Sequence, residues 1–187
     1  VKDGGGLLVL GQSALDAALK RFILDVGARY LGPGQHDCDY LLAGKDLAAG
    51  LVDAPMLCYQ PALRAEVENG DEIALLAKIR EPYFSRTYGK YCSHQNTPPR
   101  LEDAPHLGAV TKGRLIFLAH GVGAMYHAHG ARIHRQYFIN ALSRLYRKPT
   151  LDVEMPSGGS VNLIHQPNES RYIVHLLYGP PMQRGRT

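Results

Sequence analysis

The feature that most constrains the fold is an apolar run near the start of the chain, Leu7–Leu10, which follows three glycines and precedes Gly11. Four consecutive apolar residues between turn residues are typical of a strand covered on both faces, as in a parallel sheet. Ser13 and Asp16 then have the spacing of a helix capping box, and an apolar stripe at helical spacing follows. The pattern predicts a strand-to-helix unit of an α/β sheet.

A parallel strand needs parallel neighbours, and the residues that follow do not supply all of them. We therefore expect residues upstream of Val1 to belong to the same protein. Short strands are predicted at 38–42, 56–59 and 62–67, and a hairpin is predicted around Lys112 and Gly113. Residues 71–79 fit either a strand or a short helix. The strongest helix pattern covers 130–147 and stops before Pro149.

After Pro149 the pattern changes to period two. Residues 151–155, 161–166 and 172–178 alternate, with turn residues at 157–160 and 167–170. This predicts a C-terminal antiparallel β meander that opens a β-sandwich. We therefore divide the chain into a partial α/β domain at 1–149 and a β-rich tail at 150–187.

Composition excludes several classes of protein. The net charge is +4 and the basic residues are scattered, apart from small groups such as Arg184 and Arg186, so we expect no nucleic-acid partner. No apolar stretch approaches membrane-spanning length, and we expect no membrane partner. Three cysteines without a C-x-x-C pair, and no visible signal peptide, favour a cytoplasmic location. The absence of tryptophan weakens the case for a sugar-binding cleft within this chain.

The search for catalytic motifs gives one weak match. Gly11, Gln12 and Ser13 invite comparison with a nucleophile elbow, but Leu15 stands where an elbow has glycine. We interpret Ser13 as a helix N-cap instead. No pair of carboxylates has the pattern expected of a glycosidase. We predict no catalytic residues in this chain.

Histidines are the other candidates for chemistry. His120, His127, His129 and His134 lie close together in sequence, and His127 and His129 would share a face of an extended segment, which suits a metal site. No H-E-x-x-H motif or neighbouring carboxylate supports them, and surface or hydrogen-bonded core histidines are the simpler interpretation. We expect no metal and no cofactor, with His120, His127 and His129 as weak metal candidates.

Three stretches of sequence carry a family resemblance: 83–98, 135–142 and Arg171–Leu177. Together they resemble the C-terminal portion of large glycoside-hydrolase-like proteins. Those proteins carry a catalytic barrel, then a glutamine-amidotransferase-like domain akin to the β-galactosidase trimerisation domain, then a β-rich tail. The resemblance implies that Leu7–Leu10 is a late strand of a flavodoxin-like sheet with flanking helices. It also implies a domain without catalytic residues of its own.

Three functional hypotheses remain open at this point. The first is a non-catalytic accessory or oligomerisation domain of a glycoside hydrolase, whose partners are neighbouring domains or protomers and, through the parent enzyme, carbohydrate. The second is a hydrolase fragment in which an ordered loop, predicted at 83–99 from its polar and aromatic residues and closing prolines, contributes Arg86, Tyr91 and His94 to a glycosidase active site. There they would hydrogen-bond sugar hydroxyls. The third is a metal- or small-molecule-binding module built on the histidines between 120 and 134.

Overall fold

The computed structural model of the chain describes residues 4–156 and 158–179. It divides into two compact units, Val1–Arg147 and Lys148–Thr187. The helices and strands described in the first unit are, in chain order, β1 Leu7–Leu10, β2 Ala28–Gly32, β3 Asp39–Ala43, β4 Met56–Cys58, β5 Arg64–Val67, β6 Ile73–Arg80, β7 Leu107–Lys112, β8 Leu115–Leu118, α1 Val122–His129 and α2 Arg132–Leu145. No described helix is both long and apolar enough to cross a bilayer.

The first unit is built on a curled, mostly antiparallel sheet of six strands in the order β1-β8-β7-β6-β3-β4. Only β1 and β8 pair in parallel among these neighbours, and β2 and β5 form a separate antiparallel pair. The predicted flavodoxin-like α/β sheet is therefore wrong, because the described residues are mainly β with two helices. Tight connections such as the one between Lys112 and Leu115 can join antiparallel neighbours but cannot make a parallel crossover.

The opening strand is confirmed, but the helix predicted after it is wrong. Ser13 Oγ turns back on β1, donating to the Leu10 carbonyl at 2.6 Å and accepting from the Leu10 amide, so it caps no α-helix. A short 3₁₀ turn at Gly11–Ala14 follows β1. The Phe22 ring then packs against the rings of Tyr30 and Phe117, with centroids 5.4 and 5.1 Å apart. Of the predicted stripe, Leu15 is buried and Phe22 is partly buried, whereas Leu19 is 49% exposed, so the helical spacing corresponds to a loop.

The long helix is confirmed as α2, which packs on β1 and β8. The Asn140 amide of α2 donates to the carbonyls of Leu47 and Ala49, both at 2.8 Å. Helix α1 begins at Val122 and ends at His129, and Gly130 after it has the left-handed conformation that favours glycine. The open choice at 71–79 resolves as strand β6.

The second unit contains one hairpin among the described residues. Strands β9 Ser160–Gln166 and β10 Arg171–Leu177 pair antiparallel through a 3₁₀ turn at Pro167–Glu169. Residues 151–155 form no strand, so the predicted three-stranded meander is here a two-stranded hairpin. Ser157 of the predicted turn, and Arg184 and Arg186 of the basic tail, lie outside the described residues. The domain boundary at 149 stays a prediction, although the compact units divide close to it.

Candidate functional site

A buried polar cluster lies where strands β3 and β4 pair. Asp39 and Cys58 are directly opposite each other in this antiparallel ladder, so their side chains lie on the same face. Asp39 is 3% exposed and Cys58 is fully buried. A buried carboxylate within an apolar strand is unusual and requires partners.

The first partner of Asp39 is His120, which follows strand β8 and is fully buried. The curl of the sheet brings His120 to β3, where its Nε2 donates to Asp39 Oδ1 at 2.6 Å. The other carboxylate oxygen accepts from the Ala62 amide at 2.7 Å. One donor atom from each of Asp39, Cys58 and His120 lies within 4.8 Å of the other two, the only such group of three among the residues the structure describes.

The surroundings of this cluster leave several polar atoms without hydrogen bonds. His120 Nδ1, both ring nitrogens of His134 and the Tyr137 hydroxyl are buried and have no partner of good geometry. His134 and Tyr137 lie on the buried face of α2. Two of these groups still have polar neighbours, because Cys58 lies beside His120 and the backbone of Leu57 lies beside His134.

The electrostatics of the cluster follow from burial and charge. Burial alone disfavours the imidazolium, but the Asp39 carboxylate and then Cys58 outweigh it and raise the pKa of His120 well above its usual range. Burial, followed by the charge of Cys58, raises the pKa of Tyr137. Burial, followed by His120 and His129, lowers the pKa of His134. The cluster therefore favours a protonated imidazole at His120, facing the side chain of Asp39.

This cluster combines a thiol, an imidazole and a carboxylate, as cysteine hydrolases do, but only Asp39 reaches the edge of a surface pocket, whose volume is about 10 Å³. His120 and Cys58 are completely buried. A nucleophile must reach its substrate within about 3–3.5 Å, so the triad-like composition does not support catalysis. The geometry suits a structural role or the binding of a small ion.

Ser13 is also unsuited to act as a nucleophile. It lines an open cavity of about 540 Å³ at the carboxyl ends of β1 and β8, together with Gln12 and Gln60. The residues lining this cavity include no carboxylate, imidazole or thiol that could serve as a base. Its hydroxyl is moreover committed to the backbone of Leu10.

The loop at 83–99 contains the residues expected to contact substrate. Its base is anchored by the Tyr40 hydroxyl, which donates to the Thr97 carbonyl at 2.6 Å, and by the contact of the Ser85 hydroxyl with His36 Nδ1 at 3.2 Å. A backbone bridge between Pro82 and Pro99 closes it. The loop is therefore ordered by hydrogen bonds, as the sequence led us to expect.

The three loop candidates lie on its exposed surface. Arg86 donates to the Gln95 carbonyl at 3.2 Å, which links the two arms of the loop. Tyr91 is 74% exposed, and His94 is also exposed. Arg86, Tyr88 and Tyr91 border an open depression of about 500 Å³. Their role as sugar contacts stays a prediction.

The weak metal candidates do not come together. His127 and His129 are exposed on α1, with the His129 ring against Tyr59 at 4.6 Å, whereas His120 is enclosed beside Asp39. Sequence reasoning overlooked Asp39 and Cys58 as partners of His120 because the residues are far apart along the chain. The one available signal was a carboxylate inside the apolar segment 38–42.

Comparison with known proteins finds one solved structure that is similar to nearly the whole chain. No family model matches the sequence, and no curated protein matches it. A solved glycoside hydrolase matches 98% of the chain with a TM-score of 0.85 and 32% sequence identity. That protein is alpha-L-fucosidase isoenzyme 2 from Paenibacillus thiaminolyticus, of whose length the present chain spans 27%. The chain is thus glycoside-hydrolase-like, as its sequence resemblance implied.

Proposed function

We propose that this chain is an accessory module of a larger glycoside hydrolase, where it supports assembly or shapes a neighbouring active site. The observation that carries the proposal is the match to about a quarter of an alpha-L-fucosidase at 32% identity over nearly the whole chain. The enclosed Asp39, Cys58 and His120 favour the same conclusion, because a buried triad cannot act on a sugar. The β-galactosidase trimerisation resemblance favours contacts with neighbouring protomers.

The same match supports a proposal for the substrate class of the parent protein. We assign it α-L-fucosides, the substrate that the name of the matched enzyme states. The test compares the full-length protein with the 187-residue chain on para-nitrophenyl α-L-fucoside and on the matching β-galactoside. We expect turnover of the fucoside by the full-length protein only. Hydrolysis by the chain alone would refute the accessory role, and exclusive turnover of the galactoside would refute the substrate class.

Oligomerisation is tested separately by light scattering coupled to size-exclusion chromatography. A protein that uses this module for assembly has a mass that is a multiple of the protomer. A strictly monomeric full-length protein removes the assembly part of the proposal and leaves only the shaping of a neighbouring active site.

A second candidate function rests on the loop at 83–99. Its base is fixed by hydrogen bonds while Arg86 and Tyr91 project into solvent, which is the form of a segment that contacts another surface. In this version the loop adds Arg86, Tyr91 and His94 to the glycosidase active site as hydrogen-bonding groups for sugar hydroxyls. The order of the loop favours this role, because a flexible loop would have to become ordered on binding, and the entropy cost would weaken the affinity for the sugar.

Kinetics of the full-length protein test this role. Arg86→Ala and His94→Ala should each lower kcat/KM by about 10- to 100-fold if each removes one charged or polar hydrogen bond worth about 1.5–3 kcal/mol. Lys45→Ala, an exposed cation outside the loop, is the matched control. Unchanged kinetics in both loop variants would remove the substrate-contact role and leave the accessory role intact.

A further inference from the structure

We propose that Asp39, Cys58 and His120 form a buried binding site for a divalent transition-metal ion, with zinc as the ion that fits best. The first support is geometric. The three residues come from different segments, β3, β4 and the end of β8, and one donor atom of each lies within 4.8 Å of the other two. All three side chains are at least nine-tenths buried.

The donor set selects the ion. A thiolate, an imidazole and a carboxylate are the ligand types of zinc sites, whereas calcium and magnesium prefer oxygen donors alone. The charges also balance, because a divalent cation neutralises one thiolate and one carboxylate beside a neutral imidazole. Enclosing the loaded site therefore buries no net charge, which removes the largest cost of placing ions in a protein interior.

An unpaired buried hydroxyl is the independent observation that points to a ligand. Tyr137 is completely enclosed, its hydroxyl has no hydrogen-bond partner, and it interacts electrostatically with Cys58. Buried polar groups are normally satisfied by protein, water or a bound ion. An ion at this point accounts for the convergence of polar groups that the hydrogen-bond network leaves incomplete.

The distances permit the site with small movements. A tetrahedral zinc ion with bonds of about 2.0–2.3 Å holds its donors roughly 3.3–3.8 Å apart. The distance of 2.6 Å between His120 Nε2 and Asp39 Oδ1 must therefore increase by roughly 1 Å. Any pair of donor atoms that lies farther apart, up to 4.8 Å, must come closer together. The Ala62 amide holds the other oxygen of Asp39 in place during this change. Metal binding displaces the proton shared by Asp39 and His120 and the thiol proton of Cys58.

The enclosure of the site defines its role as structural. Because the imidazole and the thiol are completely buried, we expect the ion to be loaded as the chain folds, when metal binding and folding are one process. Tyr137 of α2, which is also completely buried and interacts with Cys58, leaves no room for a substrate beside the thiol. The ion therefore joins β3, β4 and the end of β8.

The test uses the 187-residue chain, produced without a histidine tag and refolded with Zn²⁺ or Co²⁺ before removal of free metal. We expect about one bound zinc per chain by elemental analysis and, with Co²⁺, a thiolate-to-metal charge-transfer band. The Cys38→Ser/Cys92→Ser double variant leaves Cys58 as the only thiol, and we expect it to keep that band. Cys58→Ser should weaken zinc binding by more than about 100-fold, since loss of an outer-shell partner alone costs about 10- to 100-fold.

Two results would overturn the proposal. One is a folded chain that retains no zinc after exposure during folding and shows no increase in melting temperature with it. The other is a charge-transfer band that is lost in the Cys38→Ser/Cys92→Ser variant, because the thiol ligand would then not be Cys58. Neither result depends on a substitution within the site, so failure of Cys58→Ser to fold does not affect the test.

Discussion

Substitution of Asp39 by asparagine measures what the buried pair contributes to stability. Asparagine keeps the size of the side chain and can still accept from the Ala62 amide, which now bonds Asp39 Oδ2 at 2.7 Å. The change removes the charge that faces His120 Nε2 at 2.6 Å. Removing one partner of a buried ion pair costs about 3–5 kcal/mol, and because the other hydrogen bond survives we expect the lower end, about 3 kcal/mol.

Urea unfolding followed by far-ultraviolet circular dichroism, with a chelator present, gives the free energy of unfolding without any metal contribution. Asp53→Asn is the matched control, since Asp53 is exposed, and it should change the free energy of unfolding by less than about 0.5 kcal/mol. Asp39→Ala should cost about 1–3 kcal/mol more than Asp39→Asn, because it also leaves the Ala62 amide unpaired. A loss below about 1 kcal/mol for Asp39→Asn would show that the reasoning about this pair is wrong.

Two further predictions concern the sheet. Hydrogen bonds from Lys78, and then from Arg80, lower the pKa of Asp103 in the folded protein. The ionised carboxylate therefore stabilises the fold at pH values above its unfolded-state pKa of about 3.9. This stabilisation is lost as the pH falls through the folded-state pKa. Asp103→Asn should lower the free energy of unfolding by about 0.5–1 kcal/mol at pH 7, allowing for solvent screening, and by almost nothing near pH 2; an equal loss at both pH values would contradict this. Gly44→Ala should lower the free energy of unfolding in urea by about 1–3 kcal/mol, because its Cβ would lie 2.5 Å from a backbone oxygen of β6. Gly89→Ala is the control and should be neutral, because its Cβ would meet nothing within 4 Å. Equal effects of the two substitutions would show that the backbone around Gly44 moves aside at little cost.

The sequence predicted the strands and the long helix because these elements carry strong local patterns. The apolar run of β1 and the spacing of Tyr137 and Ala141 in α2 are examples. The flavodoxin-like α/β sheet was wrong because the pairing of strands depends on contacts between residues far apart in sequence, and most neighbours pair antiparallel. Ser13 illustrates the difficulty, because its capping spacing is genuine but its hydroxyl bonds the preceding strand.

The candidate site was harder to predict than the fold. His120 was named from sequence, but its carboxylate partner is 81 residues away and its thiol neighbour belongs to another strand. No spacing rule connects residues that meet only after the sheet curls. The loop residues Arg86 and His94 were placed on an ordered loop correctly, since turn residues and prolines determine local structure.

The parallel pairing of β1 with β8 also bears on how the protein is made. Leu7 pairs with Leu115, about a hundred residues further along the chain. At a synthesis rate of about 5–20 residues per second, the first strand waits roughly 5–20 s on the ribosome before its partner is even made. During that interval four apolar residues have no strand to bond. This nascent segment is therefore where we expect chaperones to bind first, and where slowed translation would most increase aggregation.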